Sequence, residues 1–326
     1  MTNLLTFPIL HRLADGGFHS GEALAAHFKV SRSTVWTAIK HAETLGVEIF
    51  SVRGKGYRLS QPLNLLRADK ISAALGPASI PVQLFVHDQL DSTNRWLMQQ
   101  AANGAAHLSC AVTSHQTHGR GRRGRVWQSA LGNSLTFSLL WRFESGAAAL
   151  SGLSLAVGLA LAQAFAEMGV TVALKWPNDV LVEYRKLAGI LIEVQGDMEG
   201  PSAAVIGVGI NLRLPERMLA QIDQAAIDLQ SLSPEPVDAN VVLGIVLKHM
   251  LRVITRFEQE GFVALVADWQ AMHVYHQQAV RLLMPDATER HGVVAGVAED
   301  GSLLVTTEAG EQRFTSGEIS LRKAMA

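Results

Sequence analysis

The densest chemistry in the sequence lies in seven residues, Gly119-Arg120-Gly121-Arg122-Arg123-Gly124-Arg125, with Trp127 just beyond them. Glycine weakens helices and strands and adjacent guanidinium groups repel one another, so this composition predicts a mobile loop. Glycine also lets backbone N–H groups approach phosphate closely, and arginine donates fork-shaped pairs of hydrogen bonds to it. We therefore expect a loop that becomes ordered on a polyanionic ligand, with a solvated basic run as the alternative interpretation.

A second cationic site is predicted at Lys175, which ends an apolar strand-like run and is followed by Trp176-Pro177-Asn178-Asp179. Lysine is rarely fully buried unless it is paired, so a lysine fixed beside these residues indicates a cation aimed at an anion. A surface lysine whose stem packs on apolar atoms is the alternative.

Small residues predict where a ligand would approach the backbone. Gly207-Val208-Gly209-Ile210-Asn211 allows close approach to a sheet; no helix follows it in Rossmann fashion, and the chain has no G-x-x-x-x-G-K-[ST] motif. Asp91-Ser92-Thr93-Asn94 begins a helix, where it serves either as an N-cap or as a donor set for a polar ligand group. His273 and His276 lack acidic neighbours, so we interpret them as structural and predict no metal site.

Composition limits the class of protein. The 326 residues, 48% of them hydrophobic, should form two or three domains at roughly 150 residues each. The net charge is −1, but residues 1–60 carry seven Lys/Arg and four Asp/Glu, against 21 and 25 in the remainder. The single Cys110 excludes a disulfide framework and a cysteine-rich zinc site. No signal peptide opens the chain, so we expect a cytoplasmic protein.

One segment could be mistaken for a membrane span. Residues 145–166 carry no charge and are long enough to cross a bilayer. They are mostly small residues, include Ser151, Ser154 and Gln163, and lack flanking aromatic anchors. We predict a buried helix.

The first 60 residues predict a winged helix-turn-helix. An apolar face over residues 4–13 indicates a first helix, and Ser20 and Ser31 can N-cap two more. A hairpin over residues 47–59 with a basic turn follows as a wing, and a small helical docking domain is the alternative. DNA contacts are expected on the outward face of the third helix and on the wing, at Arg32, Ser33, Thr34, Trp36, Thr37, Lys40, Arg53 and Lys55.

The rest of the chain predicts a mixed α/β unit and a small β unit. After a linker at residues 61–64, strand-like and helical segments alternate up to residue 271. From about His273 the pattern changes to short strands separated by turns, which predicts a small SH3-like β-barrel. We therefore expect an α+β protein with domains at 1–62, 63–271 and 272–326.

These motifs together resemble the biotin–protein ligases, and the winged helix makes the chain similar to the bifunctional members that also repress the biotin operon. The resemblance runs nearly end to end and rests on Gly119–Arg125 with Trp127, Lys175–Asp179, Arg185–Ile190 and Gly207–Asn211. It implies a central mixed-sheet catalytic domain of the biotin/lipoate ligase type. It also implies repression of biotin synthesis genes with biotinyl-5'-AMP as corepressor.

The activity that the resemblance implies is an ATP-dependent, AMP-forming biotin–[biotin carboxyl-carrier protein] ligase. The biotin carboxylate attacks the α-phosphate of ATP, with Mg²⁺ accompanying the pyrophosphate, and the adenylate then acylates a lysine of a biotin carboxyl carrier protein. Lys175, Arg120 and Arg122 are the expected catalytic residues. The expected contacts to biotin and ATP are Ser92, Thr93, Asn94, Gln116, Gly119, Arg120, Gly121, Arg122, Lys175, Gly189, Gly209, Asn211 and Arg322. The expected partners are the carrier protein, operator DNA and, with adenylate bound, a second copy of the chain; no membrane partner is expected.

The chain departs from the family near Ala226, where a tryptophan would help to cover the adenine and Gln224-Ala225-Ala226-Ile227 stands instead. Aliphatic packing must replace the ring there. Two other functions stay open: a lipoate ligase, a family that lacks the Gly/Arg loop, and a non-catalytic repressor that senses a small ligand. Biotin-dependent ATP–pyrophosphate exchange would separate the ligase from the sensor.

Overall fold

The computed structural model describes residues 4–61, 63, 65–77, 80–129, 131–215, 219, 222, 224–284, 288–315 and 320–323, with only the backbone at 320, 322 and 323. Two of the four predicted linker residues, Pro62 and Asn64, lie outside this description, as does part of the predicted loop at 213–236.

The N-terminal unit is a winged helix-turn-helix, as predicted. Its elements are α1 Thr6–Leu13, α2 Gly21–Phe28, α3 Arg32–Thr44, β1 Ile49–Val52 and β2 Gly56–Leu59. Ser20 Oγ accepts a hydrogen bond from the Ala23 N–H at 3.0 Å, and Ser31 Oγ accepts one from the Thr34 N–H at 3.1 Å. Both predicted N-caps are therefore formed, and each satisfies a backbone donor that the helix itself leaves without a partner.

The central unit contains a seven-stranded mixed sheet, which confirms that prediction. Its elements are α4 Ala68–Leu75, β3 Gln83–Leu90, α5 Thr93–Ala102, β4 Ser109–Gln116, β5 Ser134–Phe143, α6 Leu153–Glu167, β6 Ala173–Lys175, β7 Asp179–Val182, β8 Arg185–Gly196, β9 Ser202–Asn211, α7 Ala239–Glu260 and α8 Val266–Ala271. The strand order is β3-β4-β5-β9-β8-β7-β6; β3 and β4 are parallel and all other neighbours antiparallel. Helix α4 was not predicted; its apolar Ile71 and Leu75 are buried in the main core.

The two faces of this sheet have different roles. Helices α6 and α7 cover one face and form the main hydrophobic core with it. Helix α5 packs on the other face, where Leu97 and Ala101 meet Leu140 and Val205. Side chains alternate between faces along each strand, so Gly207 and Gly209 lie on the α5 face with Val205. The ligand-sized cleft described below is on this face.

The uncharged segment is a core helix. Residues 147–167 are long and apolar enough to cross a membrane by length and composition, and 67% of the most apolar window is buried inside the protein. Within it, α6 is packed in the main core along almost its whole length. The prediction of a buried helix is confirmed.

The C-terminal unit is an antiparallel sheet. Its strands are β10 Ala279–Leu283, β11 Glu289–Val297, β12 Leu303–Thr307, β13 Gly310–Phe314 and β14 Ser320–Lys323. Their order is β13-β12-β11-β10-β14, so β13 and β14 form the two edges. Within the described residues no pairing joins those edges, so the predicted closed barrel is not found. A strand pattern predicts strands, but closure depends on the tilt and register of each pair, which the pattern does not encode.

The central and C-terminal units meet beside Lys175. The Leu174 N–H donates to Met272 O at 2.8 Å, so the segment that leaves α8 adds to the edge of β6. The Trp176 Nε1–H donates to Gly301 O at 3.0 Å, in a turn of the C-terminal sheet. The strand that ends in Lys175 is therefore held on both sides of that residue.

Two titratable residues singled out from the sequence lie in the interior. Burial raises the pKa of the Cys110 thiol to about 12. His273 packs on the ring of Trp269, with centroids 4.7 Å apart, and burial lowers its pKa to about 3, with a smaller contribution from His276. Both are neutral near pH 7 and act as packing residues, as expected for the histidine.

Candidate functional site

A cleft of about 1080 Å³, including its open mouth, lies on the α5 face of the central sheet. Among the described residues, its lining carries six cationic side chains and one carboxylate, although the whole chain has a net charge of −1. The cations are Arg120, Arg122, Arg123, Arg125, Lys175 and Lys186, and the carboxylate is Asp179. Fixed cations that converge in one cleft favour a ligand with several negative charges.

Two glycines make room for an indole on the floor of the cleft. Gly189 on β8 and Gly209 on β9 are cross-strand partners. A Cβ at Gly209 would lie 2.4 Å from Cε2 of Trp127, and one at Gly189 would lie 3.3 Å from its Cζ3. The Trp127 ring therefore lies against the sheet where neither strand has a side chain. The predicted close approach at the glycine-rich strand is confirmed, and the approaching group is a residue of this chain.

Next to the indole lies a cluster of hydrogen-bonded polar side chains. Ser138 Oγ on β5 contacts Thr93 Oγ1 at 2.7 Å and Asn94 Oδ1 at 2.6 Å. The Thr93 N–H and hydroxyl both donate to Gln116 Oε1, at 2.8 and 3.2 Å. No hydrogen bond joins the Gln116 amide nitrogen to any residue within the described ranges. This donor, together with the hydroxyl of Ser92, suits a carbonyl oxygen of a ligand.

The arginine-rich loop is a narrow hairpin, a geometry that its composition did not predict. The Trp127 N–H donates to Gly119 O at 3.0 Å, and the Gly121 N–H donates to Arg125 O at 2.8 Å. At the tip Arg123 has a φ of +55°. A Cβ at Gly119 would lie 2.3 Å from Trp127 O, so only glycine fits at the base of the loop.

The hairpin brings Arg122 to the mouth of the cleft. Its Nη1 donates to Asn178 Oδ1 at 3.3 Å. Burial lowers the pKa of the Arg122 guanidinium, as do the neighbouring charges of Arg123 and Arg125, whereas Asp179 raises it. Arginine remains protonated in spite of such shifts. The loop therefore presents a partly desolvated guanidinium group, and a bound oxyanion would replace the water beside it.

Lys186 lines the cleft but was not among the predicted site residues, although it lies in the Arg185–Ile190 motif. Its Nζ lies 2.6 Å from Asp179 Oδ1, and the two side chains are only 16% and 15% exposed. The same Nζ lies 5.8 Å from the Trp127 ring centre. Lys175 ends β6 and Lys186 lies on β8; β7 pairs with both strands, and both lysines line the cleft. A lysine three residues before a strand glycine, Gly189, was the available signal.

The segment near Ala226 is joined to Lys186 through the backbone. The Lys186 N–H donates to Ala225 O at 2.8 Å, and the Ile227 N–H donates to Lys186 O at 3.0 Å. Ile227 is buried in the main hydrophobic core, and Gln224 lines the cleft. Aliphatic packing over an adenine at this segment stays a prediction. Asn211 Nδ2 donates to Lys186 O and to Ile227 O, at 3.1 Å in each case. Its amide thus anchors this segment.

Ten of the thirteen predicted ligand contacts line the cleft. They are Ser92, Thr93, Asn94, Gln116, Arg120, Gly121, Arg122, Lys175, Gly189 and Gly209. Gly119 forms the base of the hairpin, and Asn211 lies behind Lys186. Arg322 is in β14, next to the lining residue Leu321, but its side chain lies outside the described residues.

A second surface, on the winged helix, presents the predicted DNA contacts. Seven of those eight residues are exposed, and Thr34 is half-buried beside the Ser31 cap. Trp36 is 54% exposed, with Lys40 Nζ 6.0 Å from its ring centre. The predicted set omitted Arg58, whose guanidinium lies 4.7 Å from the ring centre of Phe18. Exposed aromatic rings beside basic side chains suit contacts with a nucleic acid.

Comparisons with known proteins cover all three parts of the chain. Models of the biotin/lipoate A/B protein ligase family, of an HTH domain and of the biotin protein ligase C terminal domain match residues 86–211, 6–58 and 276–322. The bifunctional ligase/repressor BirA of Escherichia coli (strain K12) is 35% identical over 99% of this chain and 98% of its own length.

Two relatives are shorter than this chain and match part of it. The biotin–[acetyl-CoA-carboxylase] ligase of Paracoccus denitrificans is 30% identical over 70% of this chain and 96% of its own length. The structure of the biotin protein ligase from Aquifex aeolicus in complex with biotin and ATP aligns with a TM-score of 0.64 at 30% identity. It covers 74% of this chain and 99% of its own.

Proposed function

The chain belongs to the family of bifunctional biotin ligase/repressors, and from this premise we propose how its residues carry out both activities. It makes biotinyl-5'-AMP from biotin and ATP and transfers biotin to a lysine of a biotin carboxyl carrier protein. It also binds operator DNA and represses biotin synthesis genes, with biotinyl-5'-AMP as corepressor.

One observation carries the ligase proposal: a polar, an apolar and a cationic surface follow one another along β8 and β9. The Asn94 side chain packs over Gly207, the indole of Trp127 over Gly209, and the Lys186 ammonium lies beyond the indole. At about 3.3 Å per residue the stretch of β8 from Leu191, the partner of Gly207, to Lys186 spans roughly 16 Å. A polar cluster, an apolar ring and a cation in this order match the cyclic urea, the alkyl chain and the carboxylate of biotin.

The cations solve the electrostatic problem of the first step. Bringing a carboxylate onto a polyphosphate costs on the order of 4 kcal/mol per anion contact at about 4 Å and an effective dielectric near 20. Lys175, Lys186 and Arg122 are positioned to offset this cost and to stabilise the charge that develops at the α-phosphate. Arg120 and the glycines of the hairpin fold over the adenylate and keep water from the mixed anhydride.

A magnesium ion would be held mainly by ATP. Among the described residues no group of three or more His, Cys, Asp or Glu side chains comes together, and the one lining carboxylate, Asp179, is paired with Lys186. This cleft does not provide the oxygen ligands of a dedicated Mg²⁺ site. We therefore expect the ion to arrive on the phosphates.

The repressor proposal requires two copies of the winged helix on one operator. β7 pairs with β8 only as far as Gly189, so within the described residues the outer edge from Ile192 to Gly196 has no strand partner. An open edge of this kind can pair with another chain. We propose that adenylate binding orders Gly119–Arg125 and the loop at 213–230 and so completes a homodimer surface. Three further points are also proposed here. The C-terminal sheet closes in the SH3-like manner, the domains meet at 62/63 and 271/272, and the protein is cytoplasmic.

Biotin-dependent ATP–pyrophosphate exchange tests the ligase. We expect exchange with biotin, none with lipoate, and labelling of one lysine of a purified carrier protein. Exchange with lipoate alone would indicate a lipoate ligase, and no exchange with either acid would indicate a non-catalytic sensor.

Sedimentation with and without biotin plus ATP, together with operator binding at the same salt concentration, tests the repressor. We expect dimers and tight DNA binding only when both substrates are present, because one recognition helix and one wing offer few phosphate contacts. Tight operator binding by a monomer would contradict the dimer proposal.

A further inference from the structure

We infer that Glu193 is a positioning residue that ties the arginine hairpin to the biotin end of the cleft. This inference rests on the proposed ligase function. Glu193 lies on β8, four residues beyond Gly189, and belongs to none of the sequence motifs that indicated a site. Its role depends on two neighbours that are distant in sequence, Asn94 and Arg120.

The Glu193 carboxylate has a different partner on each oxygen. Oε2 accepts a hydrogen bond from Asn94 Nδ2 at 2.8 Å, and Oε1 lies 3.0 Å from Arg120 Nη1. The Glu193 side chain is 24% exposed and that of Arg120 is 43% exposed. The ion pair therefore lies at the edge of the cleft, where it is screened by solvent only in part.

The contact with Asn94 completes the hydrogen bonding of that amide. Nδ2 donates to Leu191 O at 3.1 Å as well as to Glu193, and Oδ1 accepts from Ser138 Oγ. A Cβ at Gly207 would lie 2.2 Å from Asn94 Oδ1, so this side chain also lies directly on the strand. With both N–H groups and one lone pair engaged, the amide has one orientation. Glu193 therefore connects the hairpin to a fixed point.

The contact with Arg120 separates the charges of the hairpin. Its four arginines repel one another, and Glu193 neutralises the first of them. Arg122 instead bonds to Asn178 on the other side of the cleft. The hairpin is thereby held over the biotin end through Arg120, and Arg122 lies at the mouth of the cleft, where the phosphates are expected. Glu193 thus acts on how long the adenylate stays bound, through Arg120, and touches no reacting atom.

A double-mutant cycle tests this role. We would measure the rate at which preformed biotinyl-adenylate leaves the enzyme for wild type, Glu193→Gln, Arg120→Gln and the double variant. Glutamine keeps the length of Glu193 and an oxygen that accepts from Asn94, but it lacks the charge. We expect Glu193→Gln to release adenylate about fivefold faster, the change that corresponds to ~1 kcal/mol for a partly exposed ion pair. The KM for biotin should stay within about twofold, because the Asn94 contact is kept.

In the double variant, the second substitution should raise the rate of adenylate release only a little further. If the pair acts as one unit, Arg120→Gln has a smaller effect on release in the Glu193→Gln background than in wild type, by about fivefold. Glu199→Gln is the matched control, since Glu199 is an exposed carboxylate that follows the same strand; it should release adenylate as wild type does. Raised ionic strength should narrow the difference between wild type and Glu193→Gln, which a purely structural role would not produce.

Release effects that add within about twofold would overturn the pairing. So would a Glu193→Gln variant that releases adenylate at the wild-type rate. Failure of the proposed function is a different result, because wild type itself would then form no adenylate. Melting curves of all variants identify any loss of folding. If the double variant does not fold, the release rate and the salt dependence of Glu193→Gln against wild type decide the question.

Discussion

The glycine at 209 offers the sharpest test of how the floor of the cleft is built. Gly209→Ala would place a Cβ 2.4 Å from Cε2, 2.6 Å from Cζ2 and 2.9 Å from Cδ2 of Trp127. Ordinary contacts at a Cβ begin at 3.4 Å, so the indole would have to move by about 1 Å or tilt away from the strand. Overpacking of this size typically costs about 1–3 kcal/mol.

Most of that cost should appear in ligand binding. The indole of Trp127 covers the middle of the cleft, and the backbone N–H of the same residue closes the base of the hairpin. A displaced ring therefore disturbs both the cleft and the hairpin. At 1.36 kcal/mol per tenfold change, we expect the Kd for biotin to rise by roughly ten- to a hundredfold. Titration calorimetry measures this value, and thermal melting gives the separate effect on stability.

A graded series supplies the controls. At Gly189 a Cβ would meet the flexible end of Lys186 at 3.0 Å and Trp127 at 3.3 Å, so Gly189→Ala should be milder than Gly209→Ala. Gly158 on α6 has only ordinary contacts from 3.6 Å, on the opposite face of the sheet, so Gly158→Ala should leave biotin binding unchanged. A Gly209→Ala variant that binds biotin as tightly as wild type would refute the proposal that the indole forms the floor of the biotin site.

Three further predictions concern the cations and their support. Lys175→Ala should lower the pyrophosphate exchange rate by about a hundredfold with little change in Tm. Lys186→Ala should lower both the exchange rate and Tm, because it leaves the largely buried Asp179 without its partner. A variant that exchanges pyrophosphate at the wild-type rate would remove its lysine from the mechanism. Arg122→Gly should let biotinyl-adenylate escape and label unrelated lysines in solution, and unchanged release would show that this arginine does not hold the hairpin closed. Trp176→Phe removes the donor to the C-terminal sheet and also leaves a small cavity where the indole was buried. Exchange should fall by about fivefold, and Tm should fall with it; a wild-type exchange rate would mean that this bond does not position Lys175.

Local sequence was enough for the elements that are specified locally. Ser20 and Ser31 cap helices because a side-chain oxygen two or three residues before a free N–H can reach it without any tertiary contact. The helices and wing of the N-terminal unit, the alternation of strands and helices in the α/β part and the presence of a loop at Gly119–Arg125 follow from periodicity and composition in the same way. The expected closure of the C-terminal strands into a barrel does not follow in this way, because it depends on pairing between the two edge strands, β13 and β14.

The site was predicted as a set of motifs, and what joins the motifs was not predicted. Glu193 looks like any charged residue near the end of a strand until the fold places it between Asn94 and Arg120. Gly209 signals that something approaches the sheet, but only the fold shows that Trp127 does. Lys186 and Lys175 line one cleft because β7 pairs with both β6 and β8. In each case the decisive contact is long-range, and a single sequence gives the requirement for such a contact without giving its partner.

The two carboxylates at the cleft explain how so many cations can be kept together. Six cations within one lining would destabilise the folded protein by mutual repulsion if all were left without counter-charges. Asp179 neutralises Lys186 and Glu193 neutralises Arg120, and each pair holds its cation in one geometry. The attraction available to ATP is thereby reduced, but for Lys186, which lies outside the hairpin that adenylate orders, the cost of placing the cation has been met during folding. Fixed dipoles and charges that need no rearrangement stabilise a transition state better than mobile ones do. The pairing therefore favours rapid adenylate synthesis over the tightest possible binding of ATP.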